Sequence, residues 1–382
     1  MFKNRFFSFV IPNLYEGSTS LLFAVLPLLA LRFGASSIFL GLMGVVAETI
    51  RVPVCLMSGR LSEKVGRIAL CIPAMIIQII VCFLLTRATN KSQVFILFAF
   101  SAISLSLFYP PFQALIGDVS QKGQLTKNLG AFNMGWCIGA AIMAVAAGWL
   151  VDVSMNLAFY VAGLLAFIPC ILVGYWGWHQ SVNKGEVEET PVQKVSKDHP
   201  KLLMVSRMGM FVGFFCWAAI RILFPKLGVE IGWKDAEIAK VISALLVGQG
   251  LGIIASNISP WWKEKWWPQI ASTALIMLSV LTVGLTSNKL ILMTAFGICG
   301  ISMSICYTSA LYLGISAREN MGKNTGIHES LIALGINLGC LIGGAGAQYI
   351  TLQTPYFMAS GLAFVFVGIS LYMYKQSRIN CF

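Results

Sequence analysis

Twelve stretches of this chain are apolar almost without interruption, and short polar connections separate them. About 20 residues at ~1.5 Å per residue cross the ~30 Å hydrocarbon layer of a membrane, so each stretch predicts a transmembrane helix. The spans fall near 6–31, 37–57, 68–86, 92–116, 128–151 and 156–177, then near 202–228, 236–258, 268–286, 290–316, 324–350 and 354–374. One connection differs from the rest. Gln180 to Lys201 is long and charged, with KGEVEETPVQKVSKDHPK at its heart, and its charge, Pro191 and Pro200 predict a flexible linker. The plan is therefore all-α: a six-helix bundle over 1–179, a linker over 180–201 and a second six-helix bundle over 202–382.

Composition sharpens this picture. Hydrophobic residues make up 57% and charged residues 11%, far from the balance of a soluble domain. Mean hydropathy is +0.80. The net charge of +12 does not point to nucleic acid, because the cations sit in the short connections rather than on one soluble face. With the N-terminus inside, 18 of the 27 Lys and Arg fall on the cytoplasmic side and seven outside, while Arg51 and Arg221 lie within spans. Both termini are expected in the cytoplasm. The first apolar run follows Lys3 and Arg5, has no small-residue cleavage site, and is expected to be retained. Nine of the ten cysteines lie in apolar runs without paired spacing and read as small buried hydrophobes.

The connection Ser58 to Arg67, SGRLSEKVGR, predicts a tight polar hairpin between spans 2 and 3, with Gly59 and Gly66 turning the backbone at its two ends. Its pattern Gly59-x-Leu61-Ser62-Glu63-Lys64-x-Gly66-Arg67 resembles the loop between spans 2 and 3 of the major facilitator superfamily, departing from it at Ile68, where a second basic residue is usual. The halves also repeat. Pro27 and Gly34 recur 198 residues later as Pro225 and Gly232. Lys127, Asn128, Gly130, Gly139 and Gly148 recur 196 residues later as Lys323, Asn324, Gly326, Gly335 and Gly344. Parallel halves are what the resemblance implies: twelve helices in two pseudo-symmetric six-helix bundles.

By the same resemblance, Asp118 at the end of span 4 would meet Arg67, and Glu63 would sit at the N-terminal end of span 11. A carboxylate is favoured there by the free N–H groups and the helix dipole. The loop SPWWKEKWWP of the second half has lost the pattern, so only one half is expected to carry this latch. Span 11 holds Gly326, Gly335, Gly339, Gly343 and Gly344, spacings that let helices approach closely. They resemble the glycine motif of the family's exporters, but with Cys340 in place of its proline and in span 11 rather than span 5.

Ionisable residues within spans are costly and so informative. Glu16 lies near mid-membrane on span 1, which the resemblance makes cavity-lining together with spans 4, 7 and 10. Arg221 in span 7 could meet an anionic substrate group, and Gln249 in span 8 completes the candidate substrate- and proton-coupling set. Glu48 and Arg51, three residues apart on span 2, could neutralise each other. The resemblance also implies that span 2 packs beside span 11, and on these two spans Arg51 and Glu329 have matching depths. They are expected to pair as a gate, assisted by His328, with Glu48 holding Arg51 when the gate opens. His328-Glu329 is not a zinc motif, because HESLI lacks the second histidine of H-E-x-x-H.

The chain is thus expected to be a secondary transporter of a small organic solute, working by alternating access as a monomer and driven by protons. The sequence carries no ATP-binding loop, and no catalytic set, cofactor or metal is expected. Export of an amphipathic or cationic compound competes with import of an organic anion. A non-transporting membrane sensor of the same fold is the alternative class.

Overall fold

A computed structural model describes residues 2–121, 123–182 and 198–379 of the chain. Lys122 and most of the expected linker, residues 183–197, lie outside the described residues. Among those described, twelve helices are long and apolar enough to cross a membrane, and no described residue is in a strand. Large apolar side chains such as Val145, Leu290 and Phe364 point outward, 84%, 73% and 69% exposed. A water-facing surface would not carry them, whereas lipid accepts them as readily as a core does. Helices also keep every backbone bond internal, as a bilayer demands.

The chain forms two compact units, Met1–Gln193 with Ile315–Ser330, and Lys194–Gly314 with Leu331–Phe382. The end of span 10 and the first turns of span 11 therefore belong with the first unit. Each unit is built on the same local rules. Span 1, Phe2–Arg32, stops at Gly34, whose φ of 74° only glycine adopts cheaply. Gly34 N–H bonds Leu31 O, and Ala35 N–H bonds Ala30 O. Span 7 stops in the same way at Gly232, φ 83°, with Gly232 N–H to Val229 O and Trp233 N–H to Gly228 O. All four positions are offset by 198, so the sequence repeat is a repeat of capping chemistry.

The repeat extends to packing. In the first unit a side chain at Gly139 of span 5 would overlap Asn13 O of span 1. In the second, one at Gly335 of span 11 would come within 2.8 Å of Phe211 O of span 7. Gly335 lies 196 residues after Gly139 and Phe211 198 after Asn13. Gly339 likewise meets Phe215 O at 2.6 Å and Gly343 meets Leu223 at 3.0 Å, whereas Gly344 has nothing within 4 Å and no close neighbour to accommodate.

Two departures from the expected spans matter. The polar hairpin expected over Ser58–Arg67 is mostly helix, because span 2 runs from Ser37 to Val65 and the turn is confined to Gly66 and Arg67. Arg60, Leu61, Glu63 and Lys64 are good helix formers, so the helix continues past the apolar run. Only Gly66 turns, with φ 96° and its N–H on Ser62 O; Gly59 sits inside the helix. Span 7 is the other case. His199–Ala218 passes through a π turn, Ala219–Leu223, into Phe224–Glu230. Pro225 has no N–H for Arg221 O, and Phe224 N–H reaches back five residues to Ala219 O.

Candidate functional site

The candidate site in the first unit begins where spans 2 and 11 touch backbone to backbone. A side chain at Gly59 would overlap Gly322 O, and one at Gly322 would overlap Gly59 O and Arg67. A side chain at Gly326 would come within 2.6 Å of Cys55 O. Three glycines thus remove the spacing that side chains normally impose, and polar groups around them come within bonding distance. Glu63 Oε1 accepts from Lys323 N at 3.0 Å, in the first turn of span 11, where free N–H groups face outward. Arg67 Nε donates to Asp118 Oδ2 at 2.9 Å, and Arg67 Nη1 donates to Ser62 Oγ at 2.7 Å. Arg318 donates to Ser120 O just beyond.

Deeper in the same contact lies a buried charge cluster. Arg51 Nη1 donates to both oxygens of Glu48, at 3.0 and 2.9 Å. Its Nη2 stands 3.6 Å from Glu329 Oε2, and Gln113 Nε2 donates to Glu329 Oε1 at 2.5 Å. Arg51 and Glu329 are only 9% and 5% exposed. The two carboxylates bracket the guanidinium at once, rather than one replacing the other. His328 beside them is buried as well.

Span 4 contributes Gln113 to this cluster and carries two prolines, Pro110 and Pro111, just before it. Pro110 has no N–H to give Ser106 O, and the Ser58 hydroxyl of span 2 donates to that carbonyl at 2.7 Å. The Thr325 hydroxyl of span 11 donates to Pro110 O at 2.8 Å. The carbonyl that the proline strips of its helical partner is thereby repaired by a neighbouring helix.

Glu16 sits on span 1, half-buried, in a different chemical setting. Its Oε2 accepts from Tyr109 Oη at 2.6 Å and from Thr19 Oγ1 at 3.2 Å, and its Oε1 accepts from Ser20 Oγ at 3.0 Å. Among the described residues no cation forms an ion pair with it. A hydroxyl both donates and accepts, so this shell solvates the carboxylate and equally accepts the proton of the neutral acid. Thr19 and Ser20 stand three and four residues after Glu16, a spacing visible in the sequence. Tyr109 and Gln113 come from span 4 and carry no local signal.

The second unit holds the other two candidates. Arg221, in the π turn, is exposed with its guanidinium 4.6 Å from the Trp217 ring centroid, and no acid pairs with it among the described residues. Gln249 is half-buried; its backbone carbonyl accepts from Ser304 Oγ at 2.9 Å.

A sequence profile of the Major Facilitator Superfamily matches residues 13–328. The chain is 24% identical over 379 residues to the quinolone resistance protein NorA of Staphylococcus aureus (strain MSSA476), a match covering 94% of this chain and 93% of that protein. It is 21% identical over 375 residues to the multidrug resistance protein MdtH of Sodalis glossinidius (strain morsitans), covering 93% and 90%. The crystal structure of the human organic anion transporter MFSD10 (TETRAN) superposes with a TM-score of 0.77 at 12% identity, covering 96% of this chain and 98% of that one. The Escherichia coli fucose:proton symporter FucP gives 0.62 at 15% identity, covering 95% and 99%. At these identities the two structures establish the fold alone.

Proposed function

The chain belongs to the Major Facilitator Superfamily, and from that premise we propose that it is a proton-coupled exporter of small amphipathic organic compounds, working by alternating access. The observation that carries the coupling is Glu16, a carboxylate inside a span whose bonded partners are all hydroxyls. An acid so placed changes charge when it exchanges a proton, and a neutral shell that suits both forms lets the exchange occur without a stranded partner. The direction follows the two resistance proteins, whose names describe protection from drugs.

In this reading Arg51 and Glu329 form a gate that closes and parts during the cycle, with Glu48 keeping the guanidinium paired throughout. Glu63, Arg67 and Asp118 form a latch on the cytoplasmic side, where both termini lie. Arg221 supports a second reading. An unpaired cation over an aromatic face suits an organic anion, and import of such a solute would use it.

The test is purified protein in liposomes with an imposed pH gradient and a panel of fluorescent lipophilic cations and organic anions. Gradient-dependent movement of cations, abolished by a protonophore, is the expected result. Movement of anions alone, lost in Arg221→Gln, favours the second reading. No gradient-dependent flux of any probe overturns both.

A further inference from the structure

The loop SPWWKEKWWP, between spans 8 and 9, stands out in sequence because four tryptophans flank two lysines within ten residues. Part of it serves the fold. Trp262 is fully buried, donates Nε1–H to Ser256 O at 2.8 Å, and meets the Tyr312 ring edge-on at 5.6 Å. Lys263 lies over that same ring, 4.7 Å from its centroid. The remaining residues are left for another purpose.

Glu264, Lys265, Trp266 and Trp267 line a groove of about 560 Å³ between the start of span 9, Trp266–Leu285, and the end of span 12, Thr354–Ile379. One end of the groove is cationic. Lys265 and Arg378 are both exposed, and neither forms an ion pair among the described residues. Arg378 is nevertheless oriented: its Nε donates to Tyr374 Oη at 3.1 Å and its guanidinium lies 5.5 Å from that ring's centroid. That leaves its terminal nitrogens unassigned. Glu264 is the single acid in the lining, so the cationic end keeps a positive excess. The flanks are aromatic, with Trp266 5.7 Å from Tyr374 and Trp267 stacked on Trp261 at 5.3 Å. The floor is apolar: Ile270, Ala271 and the half-exposed Leu371.

We propose that this groove binds an anionic phospholipid, its phosphate held by Lys265 and Arg378 and its glycerol and upper acyl chains lying along Trp267, Ile270 and Leu371. Three features select that occupant. Paired cations above an apolar slot match a molecule that is anionic at one end and hydrocarbon at the other. Tryptophan and tyrosine concentrate where headgroups meet hydrocarbon. A free phosphate would satisfy the cations but leave the apolar floor uncovered, and a zwitterionic lipid would bring its own cation to a site already in positive excess.

Native mass spectrometry of the purified protein in detergent tests this, with dioleoyl phosphatidylglycerol and dioleoyl phosphatidylcholine as probes and inorganic phosphate as competitor. Phosphatidylglycerol should bind more tightly than phosphatidylcholine. Lys265→Gln and Arg378→Gln should each weaken it about fivefold, the equivalent of ~1 kcal/mol per basic residue near a lipid surface. Lys240→Gln, an exposed cation elsewhere in the same unit, should leave it unchanged, and Glu264→Gln should tighten it. Equal binding of the two lipids, equal losses in all three lysine and arginine variants, or displacement of the lipid by millimolar phosphate would each overturn the proposal. So would a second copy of the chain protecting Trp267 from labelling in place of lipid.

Discussion

Arg51 of span 2 and Glu329 of span 11 stand 3.6 Å apart in a site where each is almost wholly buried. They are 278 residues apart in sequence. An exposed pair at that distance would contribute little, but removing one member of a buried pair strands the other, at a cost of about 3–5 kcal/mol. Arg51→Ala strands two carboxylates, Glu48 and Glu329, and should lower the melting temperature more than Glu329→Ala, after which Glu48 still neutralises the arginine. Both should slow transport on the order of tenfold, the rate equivalent of ~1.4 kcal/mol. The exchange Arg51→Glu with Glu329→Arg should recover part of that loss. An exchange no better than either single change would show that the two residues do not act on each other during the cycle.

The glycines of spans 2 and 11 make a second, steric prediction. A methyl group at Gly59 or Gly322 has backbone in its way, which no rotamer change relieves. Gly59→Ala and Gly322→Ala should each destabilise the purified protein by about 1–3 kcal/mol, read as a lowered melting temperature. Gly344→Ala, which meets nothing within 4 Å, should be neutral or slightly stabilising through its better helix propensity. Similar melting temperatures for all three variants would contradict the backbone contact.

These glycines also mark what the sequence could and could not reveal. Twelve spans were legible because a membrane imposes one length and one polarity on every crossing segment. The repeat was legible because caps at Gly34 and Gly232 need glycine, whatever surrounds them. Arg51 and Glu329 could be matched by depth, since the rise of a helix converts sequence distance into position along the membrane. The extent of span 2 was not legible from hydropathy, because its last two turns are polar and only backbone bonding shows that they are helical. Gly322 was not legible either, since it gains its purpose only from Gly59. The partners of Glu16 and Glu329 from span 4 were hidden for the same reason. Tyr109 and Gln113 look like ordinary polar residues until a neighbouring helix brings a carboxylate to them.

The repair of span 4 by span 2 makes a third prediction. Ser58→Ala removes the donor to Ser106 O and leaves a buried carbonyl unpaired, at a cost of about 1–3 kcal/mol. Pro110→Ala restores an N–H that can bond that carbonyl within the helix. The serine should then matter much less. The double variant should therefore be more stable than the sum of the single effects implies, with a coupling on the order of 1 kcal/mol. Strict additivity of the three unfolding free energies would mean that the Ser58 hydroxyl is not what satisfies Ser106.

The last prediction concerns Glu16 and separates charge from shape. Glu16→Gln keeps the size of the side chain: its amide oxygen can accept from Tyr109 and Thr19 and its NH2 can donate to Ser20 Oγ, but it carries no exchangeable charge. It should fold, and it should bind cargo at close to the wild-type affinity. It should lose accumulation driven by a pH gradient while retaining exchange of labelled for unlabelled cargo at equal pH. Tyr109→Phe removes a hydroxyl bonded to the carboxyl group, so the pH profile of transport should change while Glu16 itself stays in place. An unchanged pH profile in Tyr109→Phe together with intact gradient-driven transport in Glu16→Gln would remove Glu16 from the coupling, leaving the Arg51 cluster as the place to look for the proton.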